Sequence, residues 1–206
     1  MNATHFEIPV EMQAAVYEAP GRVAVRSVPV PEIGPGELLV RVEACGVCGT
    51  DLKKIEHGLQ EPPRIYGHEF AGTVVAVGEG ADWKVGGRVA AYHHVPCRHC
   101  AYCRNGAYSQ CPGYRKTGTT AGYEPAGGGW AQFVRIMDWI ARDGTVAVPA
   151  DVDFAHAALM EPLNTCLKCV NATELQPAES VLIFGQGPVG LMLTQLCVNR
   201  GGRVIA

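Results

Sequence analysis

The chain has 206 residues, 48% of them hydrophobic and 18% charged, and its net charge is −3. That composition describes a globular protein with room for one large domain, or one domain and part of another, and argues against disorder or a fibrous repeat. It offers no basic face for nucleic acid or for an anionic membrane.

The N-terminal stretch MNATHFEIPVEMQAAVYEAPG lacks the basic start and apolar core of a signal peptide. No apolar run approaches the roughly 20 residues that span a bilayer. A soluble, cytoplasmic protein is the expectation. Compartment bears on the nine cysteines, an odd number that cannot all pair. In a reducing setting, clustered cysteines bind metal or do chemistry more often than they form disulfides.

The first half reads as short β-type runs: AAVYEA (14–19), RVAVRSVPV (22–30), ELLVRVEACG (37–46), FAGTVVAVG (70–78) and GRVAAYHHV (87–95). They are rich in Val and separated by turn residues such as Pro20-Gly21 and Gly34-Pro35-Gly36, which suggests a small barrel or sandwich. Between them lie CGVCGTD (45–51) and YGHEFAG (66–72), carrying Cys48 and His68. A thiolate with an imidazole suits zinc. Each alone is more often a buried structural residue.

Cys97, Cys100, Cys103 and Cys111 follow, spaced C-x2-C-x2-C-x7-C. Two-residue gaps let successive thiolates converge on one ion, and a longer return loop brings the fourth. Four thiolates leave no open position, so such a zinc would be structural. A ferredoxin-like iron–sulfur site fits less well, because its last gap is shorter and its two-cluster form needs a second cysteine set.

From Asp153 the spacing turns helical in DFAHAALMEPLNTCLKCVNAT, with Asp151 and Asp153 as candidate caps. SVLIFGQGPVGLMLTQLCVNRGGRVIA then reads as a strand, a glycine-rich turn, a helix ending near Gly201-Gly202, and a second strand. Gly185, Gly187 and Gly190 form G-x-G-x-x-G in the strand-to-helix context that the dinucleotide fingerprint requires. A pyrophosphate would rest on the helix N-terminus beside Pro188 and Val189.

GHEFAGTVVAVGEGA has the form G-H-E-x2-G-x5-G-x2-A. Together with CGTD, the four-cysteine lobe, MEPLNT and the glycine-rich turn, in that order, the chain resembles the zinc-containing medium-chain dehydrogenase/reductase family along its whole length. The resemblance implies an α/β architecture: a β-rich GroES-like catalytic domain over 1–173, then the first βαβ of a Rossmann domain over 174–206, cut short. It implies Cys48 and His68 as catalytic zinc ligands and Asp51 as the carboxylate that orients the imidazole. Glu161 would be the third ligand, as in the polyol, glucose and threonine dehydrogenases, where liver-type alcohol dehydrogenases have a cysteine. Glu69 would exchange with water on the metal, Thr50 would bond the alcohol oxygen and start a proton relay, and Thr165 would touch the nicotinamide. Cys45, Cys166, Cys169 and Cys197 remain structural.

The implied reaction is hydride transfer between a small secondary alcohol and NAD or NADP, with one catalytic and one structural zinc per chain, in an enzyme that is a homo-oligomer at full length. The sequence departs from the common pattern at Lys53, where many members have a relay histidine. His57 could take part of that relay and Lys53 could hold a cofactor phosphate, or both are solvated surface groups. His93 and His94 have no assigned role. The alternative from another class is a zinc-binding fragment without turnover. A zinc-ribbon nucleic-acid binder is disfavoured by the few basic residues, Arg98 and Arg104, in the cysteine lobe.

Overall fold

The computed structural model describes residues 6–115 and 127–206; MNATH, at the start of the N-terminal stretch, lies outside them. The chain divides into two compact units, Met1–Ala158 and Leu159–Ala206.

The first unit contains, in order, β1 (Glu11–Ala19), β2 (Arg22–Pro29), β3 (Leu38–Cys45), α1 (Gly49–His57), β4 (Arg64–Ile65), β5 (Phe70–Val77), β6 (Arg88–Ala91), α2 (Ala101–Arg104), β7 (Phe133–Ile136), α3 (Asp138–Asp143), β8 (Thr145–Ala147) and α4 (Phe154–Ala158). Its strands form a three-stranded sheet, β2-β1-β4, and a five-stranded sheet, β7-β3-β5-β6-β8. All of these pairings are antiparallel.

Alternation along β3 explains why these strands bury both faces. Leu38 and Val40 point into one apolar cluster with Phe70, Val74, Val89, Val134, Ile136 and Ile140. Leu39 points the other way, to Met12, Val16, Val28, Ile65, Val75 and Phe133. Successive side chains on a strand face opposite sides, so a run of adjacent apolar residues serves two cores at once.

The second unit holds α5 (Met160–Ala172), β9 (Ser180–Leu182), α6 (Pro188–Asn199) and β10 (Arg203–Ile205). Strands β9 and β10 pair in parallel through α6, giving the expected βαβ unit. Val170, Leu175, Ile183 and Cys197 form its core. The β-rich first unit and this βαβ have the α/β make-up anticipated from the sequence. Among the described residues no helix is long and apolar enough to cross a membrane.

Two features differ from the sequence reading. The helical stretch after Asp153 is two helices, interrupted at Leu159. Pro162 accounts for the break: its ring has no N–H to donate and crowds the carbonyl four residues back, so it is tolerated only in the first turn of a new helix. The compact units divide between Ala158 and Leu159, and α5 packs with α6. Strand β6 also stops at Ala91, where the Tyr92 N–H donates to the Gly144 carbonyl, and His93 and His94 lie beyond the sheet.

Candidate metal centre and glycine-rich turn

The register of one strand pair brings two distant motifs together. In the β3–β5 ladder Cys45 stands opposite Phe70. The loop leaving β3 (46–48) and the loop entering β5 (66–69) therefore lie at the same end of the sheet, and the Gly46 N–H donates to the Glu69 carbonyl at 2.7 Å. A Cβ at position 46 would run into the Glu69 carboxylate, so the glycine admits that side chain.

Cys48 is the residue from which α1 starts. The Cys48, His68 and Glu69 ligand atoms all lie within 4.8 Å of one another. His68 is 6% exposed and Glu69 8%. Thr50 Oγ1 lies 2.9 Å from Cys48 Sγ. Asp51, on the first turn of α1, has no solvent exposure, and its Oδ2 is 3.1 Å from His68 Nδ1.

Gly67 adopts φ +98°, and a Cβ there would meet Trp130 Cδ1 at 2.5 Å and Cys45 Sγ at 2.9 Å. Burial pushes the Cys45 thiol up to about 12, so it stays protonated. Cys45 packs, partly buried, against Gly67 and Gly129 at the edge of the apolar core.

The four-cysteine lobe is also assembled. The sulfurs of Cys97, Cys100, Cys103 and Cys111 lie within 4.8 Å of one another, and all nine cysteines are unbridged. The Cys97 N–H donates to Cys111 Sγ at 3.3 Å, which pulls the Cys111 thiol down to about 6. Burial, then its sulfur neighbours, push Cys103 up to about 12. Four sulfurs this close repel one another as thiolates unless a cation stands among them.

Glu161 lies in the first turn of α5 and Thr165 one turn further, both in the second unit. In the glycine-rich turn Gly185 takes φ +90°, Gly187 precedes α6, and Pro188 is in its first turn. A Cβ on Gly190 would collide with the Gly185 carbonyl, so helix and turn approach as closely as the fingerprint reading requires. Val189 is exposed on α6.

Lys53 and His57 are exposed, and His57 Nε2 is 3.9 Å from Glu56 Oε2. The His93 ring lies tilted against His68, with ring centroids 4.6 Å apart, and His94 lies tilted against His93 at 4.3 Å. Burial, then the positive fields of His94, His68 and Lys54, lower the His93 pKa to about 3.

Two residues near the site were missed in the sequence. Trp130 Nε1 donates to the Gly46 carbonyl at 3.0 Å, and no motif announces it. Lys54 Nζ lies 3.7 Å from Asp51 Oδ1. Its i,i+3 spacing from Asp51 would have shown this contact had α1 been anticipated.

The family described as alcohol dehydrogenase GroES-like domain matches residues 34–149. The chain is 36% identical over 191 residues to the sorbitol dehydrogenase of Bacillus subtilis (strain 168), covering 90% of this chain and 52% of that protein. It is 33% identical over 201 residues to the zinc-type alcohol dehydrogenase-like protein YdjJ of Escherichia coli (strain K12), covering 93% and 55%. The acetophenone reductase of Geotrichum candidum NBRC 4597, solved in complex with NAD, superposes with a TM-score of 0.82 at 29% identity, covering 97% of this chain and 58% of that one. The chain thus spans about half the length of the curated relatives it matches. With this match over its sheet-rich unit and these relatives along most of its length, the chain belongs to the zinc-containing medium-chain dehydrogenase/reductase family.

Proposed function

We propose that this chain is the metal-binding part of a zinc- and nicotinamide-dependent dehydrogenase acting on a small secondary alcohol or polyol and the corresponding ketone. The observation that carries this reading is the convergence of Cys48, His68 and Glu69 in front of the buried Asp51. A thiolate, an imidazole and a carboxylate form a donor set suited to zinc. Zinc bound there would supply Lewis acidity toward an alcohol oxygen, and NAD or NADP would accept the hydride.

The chain's own residues do the positioning. Asp51 Oδ2 lies 3.1 Å from His68 Nδ1, which would leave Nε2 as the ring nitrogen for the metal. The proximity of Glu69 to Cys48 and His68 supports it as a ligand, and Glu161 keeps the third-ligand role that the family resemblance implies. Glu69 would exchange with water on the metal, which keeps the one open position a catalytic zinc needs. Thr50, exposed and beside Cys48, would take the proton of the substrate hydroxyl toward solvent. The Gly185–Gly190 turn would hold the cofactor pyrophosphate, and Thr165 would contact the nicotinamide. The four-cysteine lobe would hold the structural zinc. We place the protein in the cytoplasm, as a homo-oligomer when full length, with a small-molecule substrate and neither nucleic acid nor membrane as partner.

Metal analysis tests the reading directly. Close to two zincs per chain are expected, falling to one in Cys48→Ala and staying at two in Cys45→Ala. Polyol-dependent formation of reduced nicotinamide by the full-length protein should disappear with Cys48→Ala. Zinc content that Cys48→Ala leaves unchanged would overturn the assignment.

A further inference from the structure

The buried Asp51 raises an electrostatic question that the metal ligands alone do not answer. Its side chain has no solvent exposure, and among the described residues neither carboxylate oxygen accepts a hydrogen bond. An ionised carboxylate in that position is costly unless charge or hydrogen bonds face it. His68 Nδ1 faces one oxygen at 3.1 Å. An imidazole that ligates a metal is neutral, however, so the ring does not balance the charge. Lys54 Nζ faces the other oxygen at 3.7 Å.

Lys54 is held in place from two sides. It lies three residues after Asp51 on α1, the spacing that puts both on one helix face. Its ammonium also lies 5.8 Å from the ring centroid of Tyr66, which is fully buried and precedes Gly67 and His68. The side chain is 30% exposed.

We propose that Lys54 is a positioning residue for the metal centre: its ammonium, 3.7 Å from Asp51 Oδ1, holds that carboxylate in place beside His68 Nδ1, and so sets the affinity of His68 for zinc. The inference rests on the metal centre proposed above. It adds a third layer to that centre, running metal to His68 to Asp51 to Lys54.

The test is zinc affinity, measured by competition with a chromophoric chelator on the full chain. Lys54→Met keeps the stem and removes the charge, and should weaken binding at the Cys48–His68–Glu69 site about 3- to 10-fold, below the roughly 10- to 100-fold cost of losing the histidine's direct partner. The four-cysteine site should keep its zinc, and Lys54→Arg should stay within a few-fold of the parent protein. A double-mutant cycle separates this role from general stability. In an Asp51→Asn background, Lys54→Met should have little further effect, because the group through which it acts is gone. Unchanged affinity in Lys54→Met, or an equal loss in both backgrounds, would refute the proposal. A parent chain that binds zinc only at the four cysteines would overturn the metal-centre reading itself.

Discussion

At position 67 the backbone takes φ +98°, a region that side-chain-bearing residues rarely occupy, and the neighbouring Trp130 backbone N would lie 2.7 Å from a Cβ. Gly67 sets the direction of the chain into His68, so its requirement is geometric as well as conformational. Gly67→Ala should destabilise the fold by about 1–3 kcal/mol from backbone strain alone. It should also empty the Cys48–His68 site before the four-cysteine site. A denaturation midpoint paired with zinc content checks this; a variant with parental values for both would refute the argument. The residue scale is also where sequence reading separates well from badly. Cys48, His68 and Asp51 are legible from their motifs, and the structure assembles them. The contrast between Cys45 and Cys48, three residues apart, becomes visible as packing: one sulfur lies among glycines, and the other stands at a helix start.

Loops and strands supply the frame. The segment around Gly129 and Trp130 clamps both motif loops: the Gly129 N–H donates to the Gly67 carbonyl at 2.7 Å, the Trp130 N–H to the Tyr66 carbonyl at 3.0 Å, and Trp130 Nε1 to the Gly46 carbonyl at 3.0 Å. The Ala15 N–H in turn donates to the Trp130 carbonyl, so the clamp is tied to β1. Trp130→Phe keeps an aromatic ring but deletes the link to Gly46. The expected cost is about 0.5–1.5 kcal/mol, the net worth of one hydrogen bond, together with faster zinc release to a chelator. Stability and release rates equal to the parent's would show that the clamp is passive. None of this is legible in the sequence, because a lone Trp after a glycine run has many possible partners. The glycine-rich turn is the opposite case. Its strand, turn and helix are contiguous, so spacing suffices to describe it, and the Gly190 contact with Gly185 agrees with that reading.

Across the whole molecule the distribution of apolar surface is uneven. In the second unit Leu182, Phe184, Leu191, Val198 and Ile205 are exposed, Phe184 to 91%. A two-stranded parallel sheet is marginal without layers on both faces. We expect the 206-residue chain to self-associate through this unit, which concentration-dependent sizing chromatography would reveal; a clean monomer across a wide concentration range would refute it.

The sequence by itself determined what is local in the chain: the C-x2-C-x2-C-x7-C cluster, the strand–turn–helix of the glycine-rich segment, and the family signature around His68. Short spacings place residues together whatever the rest of the fold does. Only the tertiary structure decided that the Gly46 N–H meets the Glu69 carbonyl, that Trp130 bridges Gly46 and Tyr66, and that Lys54 backs Asp51. The first two depend on strand register, with Cys45 opposite Phe70 and the 128–130 segment paired with 66–67. The third depends on a short helix that tertiary packing supports. Register is set by which face of each strand is buried, a property of the assembled core rather than of any single stretch.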